Sequence, residues 1–228
     1  MSETKFNWLF ILVLVTSLTA VGFAEGNPAL QLDIERGGYD WNTETVMSAD
    51  YNFTLYALLS SDNQLNLNNN YVLSAAIVPY KDRYRFGSFV FNGQIIKDSD
   101  IFPDEQYFSN KGMKTLEAHA GFESSFYEYP FKFNAANRAT AYNVQDNPGG
   151  MQINPYGKFY YSSFEVNLQG VKKDFALHFD LYGVGNHKKL VHAPFSHDAQ
   201  GLPIIPEPDS ILLLIGGLGV IFALRRGR

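Results

Sequence analysis

Three of the five histidines lie close together near the C-terminal end of the chain, at His187, His192 and His197, with Asp198 following directly. Imidazole nitrogens and a carboxylate oxygen are the donor set of many transition-metal sites, so His192, His197 and Asp198 are candidate metal ligands. A five-residue spacing follows neither the helical nor the strand period, so convergence depends on loop geometry. An ordinary loop with structural hydrogen bonds is the competing expectation. Carboxylates gather at Asp98-Ser99-Asp100 and at Asp104-Glu105. Oxygen donors one residue apart in a loop suit Ca2+, yet the spaced acids and closing Glu of an EF-hand are missing. A solvated loop is therefore expected at Asp98, Asp100, Asp104 and Glu105, with Ca2+ the only cofactor weighed against it.

Catalytic signatures are absent from the body of the sequence: there is no Gly-x-Ser-x-Gly elbow, His-Glu-x-x-His, Walker loop or dinucleotide fingerprint, and Ser-x-x-Lys occurs only at Ser2 to Lys5, ahead of the apolar N-terminal run. Glu117, Glu123 and Glu128 are available as acids for glycoside hydrolysis, whose carboxyl separation is set by the fold and not by sequence spacing. The chain is expected not to be an enzyme. Phe122, Phe126, Tyr127, Tyr129 and Phe131 lie together and invite a carbohydrate-stacking reading. The alternative is a sheet core in which alternate rings point inward.

Strands must position these residues, because period-two alternation recurs along the chain. Leu30, Leu32 and Ile34 share one face, with Gln31, Asp33 and Glu35 on the other, and Arg36-Gly37-Gly38 turns the chain. Residues 52–59 and 71–78 read as strands flanking an Asn-rich loop over 60–70. Asn92-Gly93 between two short apolar runs is a strong hairpin signal, since a type I′ turn needs positive φ at both positions. Residues 131–133 and 160–168 alternate as well. Phe175, Leu177, Phe179 and Leu181 define another buried face, with His178 and Asp180 opposite. The expected fold is all-β: a β-sandwich, jelly-roll-like, with almost no helix in the body, and a closed barrel as the alternative that periodicity does not separate from it.

Composition agrees with one folded domain. Of the 228 residues 46% are hydrophobic and 15% aromatic, which is a core-forming composition. The net charge is −5, and no basic run exceeds Lys172-Lys173 or Lys188-Lys189. Nucleic-acid binding needs a clustered basic surface, so no nucleic-acid partner is expected. There is no cysteine, which removes disulfides, thiolate zinc sites and cysteine nucleophiles.

The two ends read as processing signals. Lys5 precedes the apolar run from Trp8 to Val15, and Gly22 and Ala24 are small residues at the −3 and −1 positions of a cleavage site. Residues 1–24 are expected to be a signal peptide cut by signal peptidase between Ala24 and Glu25. The exported domain then spans 25–200, and 201–210 form a linker carrying Pro206-Glu207-Pro208. An apolar stretch at 211–224 would rise about 21 Å as a helix. That is short of a typical bilayer core, but bilayer thinning and snorkelling arginines can make up the difference. Residues 225–228, with Arg225 and Arg226, form a basic tail that keeps its charge cytoplasmic and leaves the body outside the inner membrane.

Pro206, Glu207 and Pro208, the Gly216-Gly217-Leu218-Gly219 helix and Arg225-Arg226 together resemble the PEP-CTERM sorting signal of Gram-negative bacteria. The resemblance implies processing by an exosortase and a setting in an exopolysaccharide matrix. A second resemblance, to the choice-of-anchor N family, is carried by 29–34, Gly37-Gly38-Tyr39-Asp40, Thr43-Glu44-Thr45, 53–57, 178–182 and 193–199. It implies an exported domain delivered with interchangeable anchors and no known enzymatic activity. The expected function is thus a non-catalytic surface or extracellular-matrix protein. The alternative is a secreted polysaccharide-binding or polysaccharide-hydrolysing enzyme with the same tail.

Overall fold

Apolar alternation resolves into two facing sheets in a computed structural model that describes residues 27–48, 50–61, 67–78, 86–103, 125–184 and 190–201. The first sheet contains β1 (Leu30–Ile34), β4 (Asn52–Ser60), β6 (Ser88–Phe91), β7 (Gln94–Lys97), β10 (Arg138–Ala139) and β11 (Phe159–Asn167). The second contains β2 (Gly38–Asp40), β3 (Thr45–Ser48), β5 (Asn70–Val78), β8 (Phe102–Pro103), β9 (Ser125–Phe131), β12 (Ala176–Val184), β13 (Leu190–His192) and β14 (Asp198–Gly201). The strand order is β1-β4-β11-β6-β7 in the first sheet and β2-β3-β14-β12-β5-β9-β8 in the second. All pairings between these strands are antiparallel except that of β14 with β3, so the second sheet is mixed. Among the described residues there is no α-helix, and none is long and apolar enough to cross a membrane. The signal segment, the Pro-Glu-Pro linker and the apolar stretch 211–224 lie outside the described residues.

The core fills the space between the sheets. Leu30, Leu32, Ile34, Phe53, Leu55 and Phe164 come from the first sheet, and Leu73, Leu177, Phe179 and Leu181 from the second. Each such side chain contributes about 1.5–3 kcal/mol by leaving water. Ring contacts tie the layers: Phe53 meets Phe179 edge-on at 6.2 Å, and Phe164 meets Phe131 at 5.0 Å. The aromatic run of β9 belongs to this layer. Tyr127 packs on Phe89 and Phe91, and Tyr129 on Phe91 and Phe164. Phe126 is buried too, 3% exposed. The sheet-core alternative therefore holds for Tyr127, Tyr129 and Phe131; Phe126 lies on the opposite face of β9 and is buried apart from that core, so none of the four forms an exposed strip, and Phe122 lies outside the described residues.

The Asn92-Gly93 hairpin forms as its type I′ signal predicts, with Phe91 opposite Gln94 and φ values of 47° and 77°. β4 and β5 flank the Asn-rich loop as expected, although they enter opposite sheets. β1 differs from simple alternation. All five of its residues are buried, Gln31 and Asp33 included. The reason is a strap over residues 140–151 laid across its polar face. Gln31 Nε2 donates to Tyr142 O at 3.1 Å, and Gln31 Oε1 accepts from Val144 N at 3.1 Å. Asp33 Oδ1 accepts from Gly149 N at 2.8 Å and Ile34 N at 2.9 Å, while Asp33 Oδ2 accepts the Tyr142 hydroxyl. These polar residues are fully buried because a second backbone supplies their partners.

Candidate functional site

β12 alternates between its two faces. Leu177, Phe179 and Leu181 enter the core, which places His178, Asp180 and Tyr182 on the face turned away from the first sheet. β14 runs antiparallel beside it, pairing His178 with Gln200 and Phe179 with Ala199, and the next step of this register sets Asp180 beside Asp198. On the other flank β5 sets Ser74 opposite Asp180. Beyond it β9 sets Glu128 opposite Ser74, and Glu128 accepts the Tyr182 hydroxyl across β5. A row of polar side chains thus crosses the sheet at right angles to its strands.

Three of these groups converge. His178 Nε2 lies 3.6 Å from Asp180 Oδ1 and 3.6 Å from Asp198 Oδ2. These are ion-pair distances, longer than hydrogen bonds. One ligand atom from each of the three residues fits within 4.8 Å of the others. The side chains of Asp180 and Asp198 are 8% and 3% exposed, whereas His178 keeps 17% and so presents an edge to solvent.

Burial alone would depress the His178 imidazole, but its close polar contacts with Asp180 and Asp198 and their charge outweigh it and push its pKa up to about 10. Asp198 is held well above the carboxylate range by its own burial first and by the negative charge of Asp180 second, with His178 opposing. The pressures on the two partners pull in opposite directions. A buried carboxylate beside a second one is disfavoured whatever the state of the imidazole, and one ionised aspartate suffices to keep His178 charged. Chemically, the cluster holds either a proton on Nε2 or a cation in its place.

The remaining candidates fall elsewhere. Asp198 joins His178 and Asp180, not His192 or His197. His192 sits on β13 opposite Tyr182, its ring 5.8 Å from the Tyr182 ring. His197 has both ring nitrogens engaged, Nε2 with Asn143 Oδ1 at 3.1 Å and Nδ1 with Ser196 Oγ at 2.9 Å. Because Asn143 Oδ1 also accepts from Gln145 N, Nε2 is the donor and Nδ1 accepts from the serine. Burial lowers the His197 pKa to about 4, with Asp146 opposing, so the ring is neutral. His197 therefore clamps the strap to the second sheet. Asp98 and Asp100 form a three-residue turn after β7, where Asp100 Oδ2 accepts from Lys97 N at 2.9 Å. Asp104, Glu105, His187, Glu117, Glu123, Ala24, Glu25, Pro206, Glu207, Pro208, Arg225 and Arg226 lie outside the described residues.

No family model matches the chain, and no curated protein does. Among solved structures it is similar to the collagen binding subdomain of Enterococcus faecalis surface protein ACE, over 78% of this chain and 98% of that one. The identity is 9% and the TM-score 0.27, a likeness too slight to bear on function.

Proposed function

We propose that this chain is an exported, non-catalytic surface or extracellular-matrix protein, anchored first in the inner membrane and then processed by an exosortase. The observation that carries the reading is the order Pro206-Glu207-Pro208, apolar 211–224, Arg225-Arg226, paired with a signal-peptide pattern at the opposite end. Two prolines restrict their own backbones and disfavour helix in the residues before them, a composition that favours an extended substrate for a processing enzyme. Glu207 supplies a charge for recognition. A sandwich body that closes on packing alone suits an exported chain without cysteine.

The test is Glu207→Ala in an exosortase-bearing Gram-negative host. The expected result is intact export, a mature N-terminus at Glu25 by mass spectrometry, and accumulation of a slightly heavier, membrane-retained form. Wild-type maturation of Glu207→Ala, together with no effect of deleting the host exosortase, would reduce the tail to a plain anchor.

A further inference from the structure

We propose that His178, Asp180 and Asp198 form a binding site for one divalent first-row transition ion, with Zn2+ the best-matched occupant. The three donors come from adjacent strands of one sheet, so their spacing is fixed by backbone pairing and not by a loop. Ligands around tetrahedral Zn2+ at about 2.0–2.1 Å lie about 3.3 Å from one another. The 3.6 Å separations from His178 Nε2 to each carboxylate need only a small side-chain adjustment to reach that geometry.

The chemistry of the donors selects the ion. Ca2+ and Mg2+ prefer all-oxygen shells of six or more ligands, and an imidazole nitrogen facing two carboxylates is a poor match for either. One nitrogen and two oxygens suit Zn2+ and its neighbours, with a fourth position left for water. Charge points the same way. Two buried carboxylates carry up to two negative charges, which a divalent ion compensates in full and a lone imidazolium only by half. The partly exposed edge of His178 gives the ion a route in, while Asp180 and Asp198 behind it are shielded from water.

The experiment uses the full chain, stripped with chelator and titrated with Zn2+ by calorimetry, with Co2+ as a spectroscopic substitute. The expected result is one equivalent bound, a melting temperature that rises with Zn2+ and falls back with chelator, and the intense visible bands of four-coordinate Co2+. His178→Gln is expected to lose both signals, whereas His192→Gln and His197→Gln keep them. Should His178→Gln fail to fold, Asp180→Asn and Asp198→Asn are read in its place. The wild-type Co2+ spectrum stands apart from every variant. Absence of a retained ion, a pale six-coordinate Co2+ spectrum, or binding that survives His178→Gln and disappears with His192→Gln overturns the proposal.

Discussion

Asp33 on β1 accepts the hydroxyl of Tyr142, a residue 109 positions further along the chain, and this contact seats the strap on the first sheet. Burial is the largest influence on the carboxyl, and it raises the pKa to about 6 although Tyr142, Gly149, Ile34 and Met151 all hydrogen-bond to it. Tyr142 is in turn pushed up, by burial first and then by the charge of Asp33. The pair is sealed, and its protonation is coupled to folding.

The sign of that coupling follows from the direction of the shift. A carboxyl whose folded pKa stands above its ordinary 3.8 stabilises most below 3.8, and the contribution is lost as pH rises through about 6. The titratable groups facing it are Tyr142 from the strap and Tyr56, its partner on β4. Asp33→Asn removes the titration, so the variant should gain on wild type by about 2–3 kcal/mol between pH 4 and pH 7. Urea unfolding at several pH values measures this. Parallel stability curves for the two proteins would contradict it.

The strap also rests on Gly149, whose φ is +70° and whose missing Cβ would lie 3.0–3.1 Å from the backbone of Arg36 and Gly37. Gly93 has a similar φ of +77° but open space around it. Gly93→Ala should therefore cost only the backbone strain, about 1–2 kcal/mol. Gly149→Ala should cost more, because the strap must lift off the turn as well. Equal denaturation midpoints for the two variants would show that the close approach is unimportant.

Phe164 stacks on Phe91 of its own sheet at 5.5 Å and meets two rings across the sandwich, Tyr129 at 5.8 Å and Phe131 at 5.0 Å. Phe164→Ala should destabilise by about 3–5 kcal/mol and flatten the near-ultraviolet circular dichroism spectrum. A loss under 1 kcal/mol would mean that the neighbouring rings collapse into the gap.

Any stacking on polysaccharide must use rings that reach solvent, and Trp41 and Tyr156 do so at 70% and 92% exposure. In affinity electrophoresis with host exopolysaccharide, Trp41→Ala is expected to weaken retention severalfold with no change in melting temperature. Retention unchanged in the Trp41→Ala, Tyr156→Ala double variant would remove stacking from the account. Release of reducing sugar by wild type would favour the enzyme alternative.

Local signals in the sequence proved sound where the physics was local. Asn92-Gly93 specifies its turn through two φ angles, and the alternation of residues 176–184 separates Phe179 from His178 without reference to any other strand. Neighbour relations were hidden. Nothing in the spacing of His192, His197 and Asp198 says that Asp198 faces Asp180, because the adjacency is made by β14 pairing with β12. The buried polar side of β1 was hidden for the same reason, since Gln31 and Asp33 look solvent-facing until the strap supplies their partners. The aromatic run of β9 was legible in type, and only the opposing rings of Phe91 and Phe164 decided which way it pointed.

The position of β14 has a consequence for the order in which the molecule can assemble. Among the described residues the β2-β3 hairpin pairs with the rest of its sheet only through this four-residue strand, which slots between β3 and β12. Residues 38–48 therefore wait, unpaired to the rest of the sheet, until residues 198–201 have been delivered. Such sequence-distant pairing slows folding, and here it sets a finish line near the far end of the chain. Under the proposed export, N-terminus first, this edge of the sheet closes only after residues 198–201 have crossed. Ending the chain at His197 should leave a soluble fragment with its hairpin unhooked, readily nicked by protease between β2 and β3.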